Sequence, residues 1–303
     1  MNNQKNIIIA GGSGFLGHYL STFLKENGHQ VQVLSRRPKN SQQLFWDPEN
    51  SDSFLGYLKE TDVVINLCGA AIIGGVWTKK RKKILSDSRC VPSQALATVI
   101  ASGKTQVSLY INASAIGVYP SATDLSGQDS CDEDAVLATD FIGKMCQDWE
   151  KSVSPAEKTS RVVRLRLGIV LGKKGGAYQQ LSRLFKYYVG HCMGPGTQSF
   201  PWIHYQDVCE ILAYIMAHKN ISGPINCVAP EHISVKTFCS KLATSYKRPC
   251  WLTIPESVLR LGLGEMAQMF CEGQKVTPKK IMDHGFRFKF KEIETALTHL
   301  MTD

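Results

Sequence analysis

The chain has 303 residues, of which 43% are hydrophobic and 20% are charged. This composition is typical of a soluble globular protein with one large α/β domain, or with a domain and a smaller lobe. No segment approaches the roughly 20 consecutive apolar residues that span a bilayer, and the N-terminus lacks a charged and then apolar leader. We therefore predict a cytoplasmic protein that does not bind membranes.

The net charge is +9, and the densest basic run covers residues 79–83. Such a run is more often one solvated face of a helix, and the chain lacks the interleaved aromatic residues of nucleic-acid-binding modules. We predict no nucleic-acid partner and interpret the charge as a lining that concentrates an anionic substrate or cofactor. The ten cysteines are scattered without a Cys-x-x-Cys pair, so we interpret them as reduced core residues and predict no metal site.

The first predicted strand leads directly into a glycine-rich turn and a helix. Residues 7–9 form a short β-branched run, typical of a parallel strand that is covered on both faces. Gly12, Gly14 and Gly17 then supply a G-x-G-x-x-G spacing, which permits a tight turn, a close pyrophosphate and close packing of helix on strand. The N-terminus of the helix favours phosphates. The predicted contacts of this dinucleotide site are Gly11, Gly12, Ser13, Gly14, Phe15, Leu16 and Gly17.

The end of the second predicted strand indicates which dinucleotide binds. Gly28 ends the first helix, and residues 29–34 alternate as a strand. A site for NAD places Asp or Glu next, whereas this chain has Ser35, Arg36 and Arg37. Ser35 can donate a hydrogen bond to a 2′-phosphate, and an arginine can pair with it bidentately. We therefore predict NADP(H) as the cofactor.

Two more strands and a basic helix follow. Residues 62–67 form the third predicted strand, and small residues after it let a loop pass close to the cofactor: Cys68, Gly69 and Ala70. Thr78 is expected to cap the basic helix, and Pro92 to end or kink it. Residues 107–112 form the fourth predicted strand, which leads into Ala113 and Ser114.

The remaining pattern completes an α/β fold with a Rossmann-type, doubly wound parallel sheet. Residues 161–167 alternate as a fifth strand with Arg164 and Arg166 on one face, where one of them reaches a cofactor or substrate phosphate. Residues 223–229 form a late strand. We predict an NADP(H)-binding domain at 1–172, completed by about 200–230, and a smaller α/β lobe on the substrate side at 173–199 and 231–303.

Segments over nearly the full length resemble one enzyme superfamily: residues 11–17, 66–70, 74–78, 87–89, 113–115, 163–172, 202–204 and 262–266. They are similar to atypical, extended-type short-chain dehydrogenase/reductases, and in particular to an epimerase-like branch often labelled a sugar-nucleotide epimerase family. The resemblance implies cofactor contacts from Cys68, Gly69, Ala70, Arg89, Ala113, Ser114 and Arg166. It implies substrate-side positions at Trp77, Trp202 and His204.

One element of the superfamily's chemistry is missing. Typical members carry a Tyr-x-x-x-Lys pair on the helix after the fourth strand, where the lysine lowers the pKa of the tyrosine, and a nearby serine orients the substrate oxygen. Ser114 matches the serine, but residues 139–150 contain no tyrosine. Lys144 follows Asp140 by four residues, which is more simply an exposed ion pair. The usual proton donor is therefore absent.

Two other residues are candidates for proton transfer. Tyr119 lies on the loop after Ser114, which should open at the carboxyl edge of the sheet. We take Ser114 and Tyr119 as the catalytic candidates, with a packed loop tyrosine as the alternative interpretation. His204 is the second candidate because histidine exchanges protons near neutral pH. Asp207 is expected to cap the helix that follows, and in the family's fold this His and Asp usually serve in positioning.

Two functions stay open at this point. The first is an NADP(H)-dependent oxidoreductase or epimerase-like enzyme that acts on a small carbonyl, hydroxyl or nucleotide-sugar-like substrate. The second is a redox-sensing protein that holds NADP(H) without turnover. A small-molecule substrate is the expected partner, and a homodimer is the assembly we consider.

Overall fold

The structure is a computed structural model that describes residues 4–124 and 130–302. Its strands are β1 (Asn6–Ala10), β2 (Gln30–Ser35), β3 (Gln43–Phe45), β4 (Val63–Asn66), β5 (Leu109–Ala115), β6 (Arg161–Leu167), β7 (Ile169–Gly172), β8 (His191–Met193), β9 (Trp202–His204), β10 (Gly223–Cys227) and β11 (Leu252–Ile254). Its α-helices are α1 (Phe15–Glu26), α2 (Asp52–Leu58), α3 (Lys79–Ala101), α4 (Phe141–Lys151), α5 (Gly176–Lys186), α6 (Tyr205–Ala217), α7 (Val235–Tyr246), α8 (Glu256–Leu263), α9 (Gln268–Cys271), α10 (Lys279–Asp283) and α11 (Ile293–Thr302).

A seven-stranded sheet in the order β10-β6-β5-β4-β1-β2-β3 forms the centre of the molecule. Every pairing in it is parallel. The strand order reverses between β1 and β4, so the chain winds outward on both sides of this point. The predicted Rossmann-type, doubly wound sheet is therefore confirmed, and its crevice for ligands lies at the carboxyl ends of β1 and β4.

The alternation along β1 explains why both faces of the sheet are covered. Ile7 and Ile9 pack with Leu20 of α1 in one core, whereas Ile8 packs with Phe54 of α2 and Leu96 of α3 in another. All three β1 side chains are at most 2% exposed. A strand that is apolar on both faces can be stable only when helices lie on each side.

The second half of the chain adds smaller elements beside this sheet. β7 pairs with β9, and β8 pairs with β11, each in parallel. A separate core holds Trp202, Phe238 of α7 and Leu297 of α11, all at most 1% exposed. The predicted residue bounds of a substrate-side lobe stay a prediction.

Several local predictions can be compared with the structure. Gly28 follows α1 with φ of 83°, and the Oγ1 of Thr78 accepts the backbone N–H of Arg81, so both predicted helix ends are confirmed. Pro92 does not end α3, which continues to Ala101, because buried residues on both sides of the proline hold the helix against the protein. β3 and α2 had no counterpart in the sequence-based prediction. Among the described residues, no helix has the length and apolar character needed to cross a membrane.

Candidate functional site

The glycine turn at the end of β1 is shaped by close backbone contacts. Gly11 has φ of 75°, and a Cβ atom there would lie 2.8 Å from the carbonyl carbon of Leu67. A Cβ atom at Gly17 would lie 2.5 Å from the Cα of Gly12. These distances exclude side chains, so the turn can pass beside the end of β4 and α1 can start directly against it.

The N-terminus of α1 is open toward the crevice. Gly14 is the N-cap residue of α1, and within the described part of the chain no side chain caps this end. Ser13 and Gly14 are exposed. The first N–H groups of the helix and its dipole therefore face solvent beside a turn that has no side chains in the way, which is the arrangement that binds a phosphate.

A second glycine-rich loop between β7 and α5 covers the first residue of this helix. Cβ atoms at Gly172 and Gly175 would lie 2.7 and 2.6 Å from the ring of Phe15. The backbone N–H of Lys174 donates to the hydroxyl of Tyr19 at 3.0 Å. The loop thus places Lys174 beside α1. We did not predict this contact, although the sequence shows a signal for it, since glycines lie on both sides of two consecutive lysines.

Ser35, Arg36 and Arg37 lie beside the glycine turn because β2 pairs with β1 in register, Ala10 opposite Leu34. The Oγ of Ser35 accepts the N–H of Arg37 at 3.2 Å, which shapes the bend after β2. Both arginines are exposed, and neither forms an ion pair with a carboxylate of the described residues. Their guanidinium groups are therefore available to an anion at the outer edge of the crevice.

Side chains of α3 support the loop after β4 through hydrogen bonds to its backbone. The Nη2 of Arg89 donates to the carbonyl oxygen of Ala70 at 3.1 Å, and the N–H of Ala70 donates to the Oγ of Ser88 at 3.0 Å. A Cβ atom at Gly69 would lie 3.4 Å from the Cζ of Arg89. Arg89 therefore supports the loop whose small residues we predict to contact the cofactor. Burial raises the pKa of the Cys68 thiol to about 12.

Farther along the same edge, Ser114 belongs to a closed network. Its hydroxyl donates to the Oε1 of Glu150 at 2.7 Å. Arg166 binds the same carboxylate bidentately, at 2.8 Å from Nε and 2.9 Å from Nη2. The three residues are 1%, 8% and 4% exposed. We expected Arg166 to reach a phosphate, but its guanidinium is committed to Glu150, so the geometry favours a structural role.

Tyr119 is the next member of this network. Its hydroxyl accepts from the Nη1 of Arg166 at 2.6 Å and donates to the Oδ1 of Asn226 at 2.7 Å. The residue is 1% exposed, and burial raises the pKa of its phenol far above the usual range despite Arg166. Both hydrogen-bonding directions of the hydroxyl are taken. The structure therefore supports the packed loop tyrosine, which was the alternative interpretation, over a proton donor.

The face of α4 that meets the end of β5 also lacks a proton donor. Ile142, Cys146 and Glu150 lie four residues apart on it, and a Cβ atom at Gly117 would lie 2.6 Å from the Cγ2 of Ile142 and 4.0 Å from the Sγ of Cys146. Burial raises the pKa of Cys146 to about 12. Lys144 is exposed.

The expected ion pair between Asp140 and Lys144 is not among the ion pairs of the described residues. Asp140 instead caps α4, since its Oδ1 accepts the N–H of Gly143 at 2.7 Å. A capping carboxylate satisfies an otherwise unpaired N–H of the first helical turn.

His204 is buried at the start of α6 rather than poised at the crevice. The residue is 0% exposed, and its Nδ1 accepts the N–H of Gln206 at 3.1 Å, so His204 itself caps this helix. Burial lowers its pKa to about 3, with smaller contributions from His299 and Lys289. A histidine that stays neutral near pH 7 cannot serve as the acid that we considered.

The helix cap predicted for Asp207 is wrong. Its carboxylate accepts the N–H groups of Lys289 and Phe290 at 2.8 and 3.0 Å, and so ties the C-terminal segment to α6. The two predicted substrate-side tryptophans are buried as well. Trp202 is 0% exposed, and Trp77 is 8% exposed and donates from its Nε1 to the carbonyl oxygen of Ile72.

A cavity of about 380 Å³ lies where segments from both halves of the chain meet, and we call it the lobe cavity. It is lined by Ala122, Pro195, Thr197, Gln198, Ser199, His232, Ile233, Ser234, Cys271, Glu272, Gly273 and Lys275. Ala122 and His232 follow the carboxyl ends of β5 and β10 in the chain. Gln198 is 9% exposed, and its Oε1 has no hydrogen-bond partner in the described part of the chain. These residues come from four separate segments, so no sequence pattern indicated the cavity.

Comparison with known proteins gives a consistent result. A protein-family model described as the NAD dependent epimerase/dehydratase family matches residues 7–228, and a model described as a domain of unknown function matches residues 254–300. The epimerase family protein YfhF of Bacillus subtilis is 34% identical over 98% of each chain. The epimerase family protein SDR39U1 of Mus musculus is 33% identical over 96% of this chain and 98% of its own.

A solved structure is also similar to this chain over almost its whole length. It is the crystal structure of human epimerase family protein SDR39U1 (isoform 2) with NADPH. The TM-score is 0.90 at 27% identity, and the match covers 98% of this chain and 99% of the human one.

Proposed function

Because the chain belongs to the NAD dependent epimerase/dehydratase family, as its sequence predicted, we propose that it binds NADP(H) and acts on a small carbonyl or hydroxyl compound. The glycine turn at Gly11–Gly17 and the segment Ser35–Arg37 together form what we call the open edge. The geometry of the open edge is the observation that supports NADP(H) as the cofactor. Added Cβ atoms at Gly11 and Gly17 would collide with backbone. Arg36 and Arg37, which form no ion pair with another described residue, stand where a site for NAD has a carboxylate.

The residues of the open edge divide the recognition of NADP(H) between them. Gly14 and the first N–H groups of α1 hold the pyrophosphate, as expected at an uncapped helix N-terminus. Arg36 and Arg37 pair with the 2′-phosphate, since guanidinium groups bind phosphate bidentately. The human relative's crystal structure with NADPH supports this choice of cofactor.

The lobe cavity holds the substrate in this proposal. Its volume of about 380 Å³ suits a small molecule. His232 and Lys275 place basic groups in its wall, and Gln198 offers a buried amide oxygen that no other described residue binds. An anionic compound with a hydroxyl group, such as a nucleotide-sugar-like molecule, matches this lining. The cofactor, when bound, supplies hydride chemistry.

The proton that accompanies such chemistry does not come from Ser114 or Tyr119 in this proposal, because both hydroxyls are committed within the buried network. It comes from solvent or from a titratable group in the lobe cavity, where His232 is exposed. A cytoplasmic location and a homodimer stay predictions.

A second candidate function is a redox-sensing protein that binds NADP(H) without turnover. One observation favours it: the face of α4 at the end of β5 presents Ile142 and Cys146 where a proton relay is needed.

The two functions are separated by NADPH oxidation measured against a panel of small carbonyl compounds that includes nucleotide-sugar ketones. The enzyme proposal predicts consumption of NADPH with one defined product, and a rate that falls at least about tenfold in Gln198→Leu, which removes an amide from the lobe cavity. Tight binding of NADPH without consumption across the panel would favour the sensor. A fall in kcat in Tyr119→Phe at unchanged stability would restore Tyr119 as the proton donor.

A further inference from the structure

Three thiols meet in the second half of the chain. Cys192 lies in β8, Cys239 in α7, and Cys250 just before β11, which pairs with β8 so that Cys192 lies opposite Thr253. Cys239 and Cys250 each lie close enough to Cys192 to affect its pKa. The thiol of Cys239 donates to the carbonyl oxygen of His191 at 3.8 Å. We call these three residues the thiol cluster.

Two members of the thiol cluster face a pocket, and the third does not. Cys192 and Cys250 line a pocket of about 380 Å³. Cys192 and Cys239 are 5% and 3% exposed and pack in the same core around Phe238, but only Cys192 also belongs to this lining. A small reagent that enters the pocket can therefore reach Cys192 and Cys250. It does not reach Cys239, which lies outside the lining.

The surroundings of the pocket are basic. Lys236 and Arg248 line it together with three hydroxyl residues, Ser240, Thr244 and Thr253. The residues that line the pocket include no aspartate or glutamate. Such a field stabilises a thiolate, and the ammonium, guanidinium and hydroxyl groups can donate to an oxygen that leaves as an anion.

Cys192 differs from the other nine cysteines of the chain. The pKa of every other cysteine is raised. Burial is the main cause except at Cys239; at Cys90, for example, burial raises the pKa to about 11. The pKa of Cys192 is instead lowered, chiefly by the hydrogen bond from Cys239 and further by Cys250 and Lys236, against the effect of burial. The pKa of Cys239 is raised, chiefly by its interaction with Cys192 and further by burial.

We propose that Cys192 is a peroxide-reactive thiol and that Cys250 converts its oxidised form into an intramolecular disulfide. The Cys192 thiolate attacks a hydroperoxide, so an S–O bond forms, the O–O bond breaks and the sulfur loses two electrons to the departing oxygen. The Cys250 sulfur then attacks the sulfenic acid; an S–S bond forms, the S–O bond breaks, and hydroxide leaves with the proton of Cys250 as water. This site does not depend on the proposed NADP(H) function.

The test uses the reduced full-length chain, treated with hydrogen peroxide at one equivalent, blocked with an alkylating agent and mapped by non-reducing peptide mass spectrometry. The expected product is the Cys192–Cys250 disulfide, while Cys90, which is half-buried without a thiol partner, stays reduced. In Cys250→Ser, dimedone should label Cys192 as a trapped sulfenic acid. In Cys192→Ser, both products should disappear, whereas Cys90→Ser should behave like the unaltered chain.

A second measurement does not require any variant to fold. Iodoacetamide should alkylate Cys192 at pH 7 at least about tenfold faster than Cys90, because the thiolate is the reacting species. Equal rates for the two cysteines, oxidation of Cys90 as fast as that of Cys192, or a disulfide from Cys192 to Cys239 in place of Cys250 would each overturn the proposal.

Discussion

The two halves of the carboxyl edge of the sheet differ in whether their polar groups are exposed without a partner or buried and hydrogen-bonded. At the open edge, Gly14 leaves helix N–H groups uncapped, and Arg36 and Arg37 are exposed without a carboxylate partner among the described residues. At the ends of β5 and β6, Ser114 and Arg166 are buried and fully hydrogen-bonded through Glu150.

This difference indicates which polar groups can bind a ligand. Unpaired groups that remain in solvent cost the fold little and can bind a ligand, whereas buried groups must be paired within the protein. The open edge can therefore bind a ligand, which we propose is the cofactor. The half at the ends of β5 and β6, which typical relatives of the superfamily use for proton transfer, stabilises the fold in this chain.

The largest expected effect is the loss of a buried charge pair. Arg166→Leu leaves the Glu150 carboxylate buried without its guanidinium partner, so we expect the free energy of unfolding to fall by about 3–5 kcal/mol. Arg164→Leu on the same strand is the matched control, because its partner Glu157 is 47% exposed and the pair should contribute at most about 1 kcal/mol. Urea unfolding measures both, and equal losses would contradict a closed network around Arg166.

The next effect concerns the shape of the glycine turn. Gly17→Ala places a Cβ atom 2.5 Å from the Cα of Gly12, so α1 has to shift. We expect a loss of about 1–3 kcal/mol in stability and about a tenfold weaker affinity for NADPH, equal to about 1.4 kcal/mol. Gly56→Ala is the control, since nothing lies within 4 Å of its added atom. Unchanged affinity in Gly17→Ala would separate the turn from cofactor binding.

A smaller effect should distinguish the two cofactors. The double variant Arg36→Ala with Arg37→Ala is expected to weaken NADPH binding by about 1–3 kcal/mol and to leave NADH binding nearly unchanged. The reason is that only NADPH carries the 2′-phosphate. Lys39→Ala, a nearby exposed cation, is the control for general loss of charge. If both cofactors lose affinity equally in a titration, these arginines do not recognise the phosphate.

The most gradual effect is a pH dependence of stability. His204 has a pKa of about 3 in the folded protein, against about 6.5 when unfolded. The unfolded chain therefore binds the extra proton between these values, so stability falls as pH decreases below 6.5, by at most about 1.4 kcal/mol per pH unit.

His204→Asn should reduce this slope while it keeps an acceptor at the cap of α6. His18→Asn, at an exposed position in α1, should leave the slope unchanged. Urea unfolding between pH 6.5 and 4.5 measures the slope, and identical slopes for the unaltered chain and His204→Asn would show that His204 is not buried as a neutral ring.

Features that depend on neighbouring residues in the sequence could be predicted, whereas features that depend on distant residues could not. The strand, the glycine turn and the arginines after β2 could be predicted because each is a contiguous pattern with a backbone reason. Glu150 could not be recognised, because its partners Ser114 and Arg166 are 36 and 16 residues away and meet it only in the folded sheet.

The differences from the structure have the same origin. Pro92, which we expected to end or kink the basic helix, does not end it, because in α3 tertiary packing outweighs one lost hydrogen bond. Asp207 has the sequence position of a cap, yet it binds the backbone of Lys289 and Phe290, which lies 82 and 83 residues away. The three-residue strand β3 is too short to leave a periodic pattern.

Calorimetric titration of the unaltered chain with NADPH and with NADH tests whether the open edge is an NADP(H) site. We expect a single site whose Kd for NADPH is at least about tenfold lower than that for NADH, because Arg36 and Arg37 pair with the 2′-phosphate. Equal affinity for the two dinucleotides, or no binding of either, would contradict it.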